Sequence, residues 1–354
     1  MIEINNVTKD YKKGRGNFNI DLKVYEGEAL GIVGENGAGK TTLLRQLMGY
    51  VKSDKGNISI LGLDAYKDSA KTKKYIGYIP GEINFPDVKT GIIFLHNYGD
   101  SLGMKKEDYA YAEEIISRMQ LDVRAYPKRM SKGMKQKTAI VAALMLKADI
   151  LIMDEPTIGL DPLMREEFLK LVLEQKERGA TIIYTSNTVN ELERTCDRVV
   201  LLTKGKIASS VKVDDVINRP YRDYKIEFNN NGDYKLFLRN KMQIIRMQDK
   251  YNQVSIRIKK NDVPILMKTL TRYDVKFISE IKYDLNSYFE EVRIASYKAK
   301  RNCYSMELDE KYVDVIVKRY IKNKGSYENC YLIRNGEQIP LNSIEDFLIL
   351  ESAN

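Results

Sequence analysis

The sequence predicts an α/β chain: a largely parallel sheet covered by helices, then a small α+β domain and a short tail. Three observations carry this. Apolar runs at Ala29 to Val33, Ile150 to Met153 and Thr181 to Thr185 alternate with longer helical stretches across residues 1–216, the rhythm of a parallel sheet with helical crossovers. From Tyr224 the rhythm changes to short alternating strands. The length, 354 residues, suffices for two or three domains at roughly 100–200 residues each.

Within the first region, strand signals vanish between Pro86 and Ala148 and helical periodicity takes over, as in Tyr109 to Met119; this reads as a helical insertion at about 86–148. Asn218-Arg219-Pro220 then punctuates the chain, because proline disfavours helix before it and removes a donor. Beyond it come YKIEF, a helix around Asp233 to Asn240, QIIRM, VSIRI, a helix from Val263 to Tyr273, and VKFISEIKY. The order is βαββαβ, a ferredoxin-like split arrangement, assigned to residues 221–297. The tail, 298–354, holds one helical segment, Val313 to Lys322, between strand-like pieces.

Composition excludes several classes. Hydrophobic residues at 43% and charged residues at 30% rule out a disordered, collagenous or disulfide-stapled chain. The longest apolar run, Ala139 to Leu146, is far short of the ~20 residues that span a bilayer. MIEINNVTKDYKK has no apolar segment of a secretory signal, and Cys196, Cys303 and Cys330 lack metal or redox spacing, so a reduced, cytoplasmic protein is expected. The net charge of +9 is spread thinly, which favours a solvated surface over a nucleic-acid partner or an anionic membrane surface.

Gly34-Glu35-Asn36-Gly37-Ala38-Gly39-Lys40-Thr41 fits G-x-x-x-x-G-K-[ST] between the strand ALGIV and the helical TLLRQLM, the strand, loop, helix context of a phosphate-binding P-loop. Its glycines let backbone N–H groups converge on phosphate oxygens, Lys40 neutralises β/γ charge, and Thr41 offers a hydroxyl to Mg²⁺. Ile150-Leu151-Ile152-Met153-Asp154-Glu155 is a buried strand ending in two carboxylates. Beside a phosphate loop, Asp154 would hold Mg²⁺ and Glu155 would orient and deprotonate the attacking water.

These residues, with PTIGLDP after them, resemble the ATP-binding cassette (ABC) ATPases over residues 1 to about 216. The resemblance implies that Tyr11 stacks on adenine, that Gly34 to Thr41 and Thr42 bind ATP, that Met130-Ser131-Lys132-Gly133-Met134 is the signature, and that Gly159-Leu160-Asp161 is the D-loop. It further implies a head-to-tail dimer, with ATP held between one subunit's phosphate loop and Ser131 and Gly133 of the other. The second subunit can be an identical or a different ATPase. Three positions depart from the family pattern. Glu82 stands near the usual glutamine, in Ile79-Pro80-Gly81-Glu82; Lys132 and Met134 replace Gly and Gln of the signature; and Asn187, in Thr185-Ser186-Asn187, replaces the switch histidine. The chain's sole histidine, His96, lies in the helical insertion and reads as a plain polar residue.

The ERTCDRVVLLTKGKI stretch and a final helix around Leu285 to Val292 are similar to ATPases of ABC-2 type exporters, including those resembling antibiotic-resistance exporters. That resemblance implies a subunit peripheral on the inner face of the cell membrane, driving a separate integral membrane permease. It also suggests a dimer-stabilising or regulatory role for residues 221–297. The alternatives are a soluble ABC ATPase acting on nucleic acid and a non-hydrolysing ATP-gated subunit. Arg301 to Asp309 with KYVDVIVKRY is similar to a fragment of DNA methyltransferases, but the glycine-rich loop and the Asn/Asp-Pro-Pro-Tyr motif are missing, so no cofactor pocket is expected there.

Overall fold

A strand whose successive residues are all apolar must be covered on both faces, and the chain achieves this with two packed layers around one sheet. The computed structural model describes residues 1–240, 242–298, 331–334 and 337–340. The chain divides into two compact units, Met1–Phe289 and Glu290–Asn354.

The first elements are β1 (Ile2–Asp10), β2 (Gly16–Val24), β3 (Ala29–Val33), α1 (Lys40–Leu47), β4 (Lys55–Ile60), β5 (Leu63–Asp64), α2 (Ser69–Thr72) and β6 (Ile76–Ile79). Three helices follow without a strand between them: α3 (Gly91–Ser101), α4 (Tyr109–Arg118) and α5 (Lys132–Leu144). Next come β7 (Ile150–Asp154), α6 (Pro162–Glu177), β8 (Thr181–Ser186), α7 (Val189–Thr195), β9 (Arg198–Thr203), β10 (Lys206–Lys212) and α8 (Val213–Ile217).

The central six-stranded sheet runs β10-β9-β3-β8-β7-β6. Its pairs are parallel except β10, which is antiparallel to β9. Leu30 and Ile32 of β3 and Ile150 and Ile152 of β7 enter one core with Leu43, Leu44 and Leu47 of α1. Ala29, Val33, Leu151 and Met153 enter the other, with Phe168 and Val172 of α6. The first core is closed by a second sheet, β2-β1-β4-β5, which is wholly antiparallel. The sequence reading did not separate this second sheet from the parallel one.

Short polar groups start the helices that matter for the site. The Ser131 hydroxyl accepts from the Met134 N–H at the start of α5, and the Asp161 carboxylate accepts from the Met164 N–H at the start of α6, with Pro162 next. Such caps are worth about 1 kcal/mol each. The helical insertion is tied to α6 by Arg118, which bonds Glu167 at 2.6 Å and Glu174 at 2.7 and 2.8 Å. His96 is exposed, 4.3 Å from the Tyr109 ring.

From Tyr221 the chain forms β11 (Tyr221–Phe228), α9 (Asn231–Phe237), β12 (Gln243–Gln248), β13 (Gln253–Lys259), α10 (Val263–Leu270) and β14 (Val275–Ile281). The sheet order is β12-β13-β11-β14, all antiparallel. This is the βαββαβ order read from the sequence, with a core of Ile226, Phe228, Tyr234, Phe237 and Leu266. Helix α11 (Leu285–Lys298) follows, and within the second unit β15 (Tyr331–Arg334) pairs with β16 (Glu337–Pro340). The expected helix at Val313 to Lys322 and the Arg301 to Asp309 stretch lie outside the described residues.

Asp223, 6% exposed, ties this sheet to the residues before it, accepting two hydrogen bonds of 2.9 Å from Arg257 and pairing with Arg219 at 2.9 Å. Burial alone would raise its pKa; the two guanidinium groups outweigh burial and hold the carboxyl below the usual range. A depressed folded-state pKa adds stability that is present above about pH 4 and lost as pH falls through the folded value. Asp223→Asn is therefore expected to lower Tm at neutral pH, and the gap to the parent should shrink on acidification. Thermal unfolding across that range checks it.

Candidate functional site

In a parallel sheet all carboxyl ends share one edge, so residues distant in sequence meet there. Val33 pairs in register with Ser186 and Asp154 with Thr185, while Ile79 pairs with Met153. The residues just beyond these ends are Gly34, Asn187, Glu155 and the Pro80-Gly81-Glu82 turn. The sheet register thus gathers the four segments.

The loop Gly34 to Gly39 joins β3 to α1. Gly39 has φ +107°, and a side chain there would collide with Asn17, the second residue of β2. Lys40, 5% exposed, turns its ammonium back into the loop. It donates to the carbonyls of Gly34 at 2.6 Å and Glu35 at 3.2 Å and to Asn187 Oδ1 at 2.7 Å. It also pairs with Glu155 Oε1 at 3.2 Å. Asn187 Nδ2 donates to Asn36 Oδ1 at 3.2 Å. Lys40, Glu155, Asn187 and Asn36 are therefore one connected group.

Glu155 has φ +49°, a left-handed conformation costing about 1–2 kcal/mol for a residue with a side chain. Its N–H is held by Thr185 twice, at the carbonyl (3.0 Å) and at the hydroxyl (3.1 Å). The same hydroxyl donates to Asp154 Oδ1 at 2.7 Å. Thr185 so holds the Asp154 carboxylate and the Glu155 backbone, a role the sequence reading missed; the available signal was the pair of hydroxyls, Thr185 and Ser186, that closes the buried strand β8.

Asp154 is 1% exposed and its Oδ2 is buried with no hydrogen-bond partner. A Cβ added at Gly81 would lie 2.9 Å from that oxygen, so the glycine keeps the space beside it open. An orphaned carboxylate oxygen beside open space fits Mg²⁺, which takes one or two protein ligands and fills its shell with water and substrate phosphates. Thr41 and Asp154 are the residues that would hold it. Burial and the charge of Asp154 push the pKa of the nearby Tyr78 phenol upward.

Ser131 and Gly133 stand elsewhere, at the N-terminus of α5. There they adjoin the Gly159 turn, since a Cβ on Gly133 would lie 2.8 Å from the Gly159 carbonyl oxygen. Tyr11 is 49% exposed on the turn between β1 and β2. Glu82 is exposed and, with Thr41, borders a cavity of about 500 Å³ lined also by Tyr78, Phe85, Phe94 and Tyr98. Ala38 is buried, while Gly37 and Thr42 complete the loop and the first turn of α1.

A lysine in a glycine-rich loop, facing a strand-end carboxylate in a site with room for Mg²⁺, defines the P-loop nucleoside triphosphatases. Within that class, this chain belongs to the ABC transporter family and is an ABC-type ATPase. The family profile, described as ABC transporter, matches residues 18–158. The chain is 36% identical over 241 residues to the linearmycin resistance ATP-binding protein LnrL of Bacillus subtilis, covering 67% of this chain and 78% of that one. It is 30% identical over 238 residues to the bacitracin transport ATP-binding protein BcrA of Bacillus licheniformis, covering 66% and 77%. Among solved structures, an ATP-binding subunit of an ABC transporter superposes with TM-score 0.58 at 28% identity, covering 62% of this chain and 92% of the other. A dimeric post-hydrolysis cassette bound to ADP and phosphate gives TM-score 0.54 at 25% identity, covering 60% and 99%.

Proposed function

We propose that this chain is the ATP-binding and hydrolysing subunit of an exporter, closing as a dimer on ATP and so driving a separate membrane permease. The observation that carries the reading is the Lys40, Glu155 and Asn187 group at the carboxyl edge of the sheet. Relatives named for linearmycin resistance and bacitracin transport support the exporter reading. Among the described residues no helix is long and apolar enough to cross a membrane, so transport would need a partner that does. The protein would then sit in the cytoplasm against the inner face of the membrane.

In this mechanism ATP occupies the loop Gly34 to Thr41 and takes Lys40 away from the Gly34 and Glu35 carbonyls and Asn187. Glu155, released from the Lys40 ammonium, accepts a proton from the attacking water. Thr41 and Asp154 would hold Mg²⁺, which would supply charge neutralisation at the phosphates. Ser131 and Gly133 of a second subunit cover the phosphates with the N-terminus of α5. Tyr11 offers its exposed ring to adenine, and Glu82, on the turn after β6, would act towards the metal and water.

The permease would press into the aromatic cavity beside Thr41 and Glu82, between the sheet and the helical insertion. Co-purification from native membranes tests the whole reading. The expected companion is a chain with several spans of ~20 apolar residues, and Phe85→Glu should release it while leaving ATP affinity unchanged. Recovery with nucleic acid in a salt-sensitive complex, and with no membrane protein, would sink the exporter reading.

Residues 221–297 fit a dimer-stabilising or regulatory module. The Leu285 N–H donates to Glu193 Oε2 at 2.8 Å, and Asn286 Nδ2 donates to Asn190 Oδ1 at 3.1 Å. Leu285 and Phe289 share a core with Leu192 and Cys196. The start of α11 therefore braces α7, the helix that begins two residues after Asn187.

A further inference from the structure

Helix α7 also carries a carboxylate that none of the recognised motifs employs. Glu191 is 3% exposed, and its Oε2 accepts three hydroxyl hydrogen bonds: from Thr157 at 3.0 Å, Tyr184 at 2.7 Å and Ser186 at 3.0 Å. Its Oε1 faces Arg165 Nε at 3.5 Å, an ion pair without hydrogen-bond geometry. Burial and then the Glu191 charge push the Tyr184 phenol well above its usual pKa, so it stays a donor. Three hydroxyl donors that converge on one buried carboxylate oxygen form a connected network, so removing that acceptor affects all three at once.

The placement of the three donors matters more than their number. Thr157 lies two residues after Glu155, and Ser186 immediately precedes Asn187. The Ser186 hydroxyl also accepts from the Thr188 N–H at 2.9 Å, so one hydroxyl grips the backbone on both sides of Asn187. Arg165 is on α6, one turn beyond the Asp161 cap of the Gly159 turn. One carboxylate thereby touches the loop of the base, the loop of the switch and the helix of the D-loop.

We propose that Glu191 is a positioning residue for hydrolysis, holding the Glu155 loop and the Asn187 loop in register through Thr157 and Ser186. The proposal rests on Glu155 acting as base and Asn187 as switch. A buried hub that only stabilises the fold would alter the melting temperature and leave the chemical step of the folded, ATP-bound protein unchanged. A positioning hub alters the chemical step at constant ATP affinity, because misplacement by ~1 Å costs up to ~10² in rate.

The test uses the full chain, with ATP affinity from equilibrium titration and the chemical step from single-turnover hydrolysis. Glu191→Ala is expected to slow the chemical step by ~10-fold to ~10²-fold while ATP affinity stays within about twofold. Glu191→Gln, which retains an acceptor oxygen for the hydroxyls, is expected to recover part of that loss. Ser186→Ala and Thr157→Val should each slow the step, and each should do less when added to Glu191→Ala than it does alone. A folded Glu191→Ala protein turning over at the parent rate overturns the proposal, as does full additivity of the Ser186 and Thr157 changes. Should Glu191→Ala not fold, parent rates in Glu191→Gln, Ser186→Ala and Thr157→Val together overturn it. Glu155→Gln is the control: a parent rate there removes the assignment of the base itself, a different failure from that of Glu191.

Discussion

Glu155→Gln is expected to bind ATP at least as tightly as the parent and to hydrolyse it ~10²–10⁴ more slowly, the range a positioned general base contributes. Two features of the site set the direction of both effects. The Lys40 ammonium is 3.2 Å from Glu155 Oε1, so part of the attraction Lys40 offers to phosphate is spent on a carboxylate. Glutamine keeps the size and removes the charge, which leaves Lys40 freer for the nucleotide and deprives the water of its base. A closed, ATP-loaded dimer should accumulate and be visible by size-exclusion chromatography. Lys40→Ala should behave in the opposite way. It deletes the one buried cation of the loop, and nucleotide binding should be lost, because Thr41, Thr42 and backbone N–H groups then face the phosphate charge alone. Titration with ATP and phosphate-release assays check the pair. Parent turnover in Glu155→Gln, or parent affinity in Lys40→Ala, would refute these roles.

How far the site could be read in advance depended on whether its parts were local in sequence. The phosphate loop is a contiguous strand, loop and helix, and the structure builds it at Ala29–Val33, Gly34 to Gly39 and Lys40–Leu47. The βαββαβ order was legible because its strands alternate over six to eight residues between clear turns. Helix ends were less so: α9 begins at Asn231 under the Asn230 cap and stops at Phe237, earlier at both ends than periodicity suggested. The antiparallel sheet β2-β1-β4-β5 escaped because its strands are interrupted by bulges, as between Ile4 and Val7, which break the period of two. Contacts across 147 residues, such as Lys40 to Asn187, follow from strand register, which a single sequence does not state. The Glu191 hub was hidden for the same reason, since its donors come from β8 (Tyr184 and Ser186) and the segment after β7 (Thr157).

Asn187→His is expected to raise the single-turnover rate, by up to ~10²-fold, at unchanged ATP affinity. Asn187 immediately follows strand β8, where the family's switch histidine would stand, and its carboxamide is engaged on both sides, accepting from Lys40 at 2.7 Å and donating to Asn36 at 3.2 Å. When ATP draws Lys40 to the phosphates, Asn187 loses its donor and can offer the γ-phosphate only its short, neutral NH2 group. A histidine ring reaches further and can gain a proton near neutral pH, so it supplies a donor that strengthens as charge develops in the transition state. Loss of one such donor typically costs ~10²–10³ in rate. Ground-state binding should change little, because Lys40 and the loop N–H groups dominate it. The parent is accordingly expected to turn over slowly as a homodimer, or to work beside a second ATPase whose own switch is complete. Equal or lower single-turnover rates in Asn187→His would show instead that the site has been repacked around asparagine, with Glu82 on the turn after β6 as the residue to substitute next.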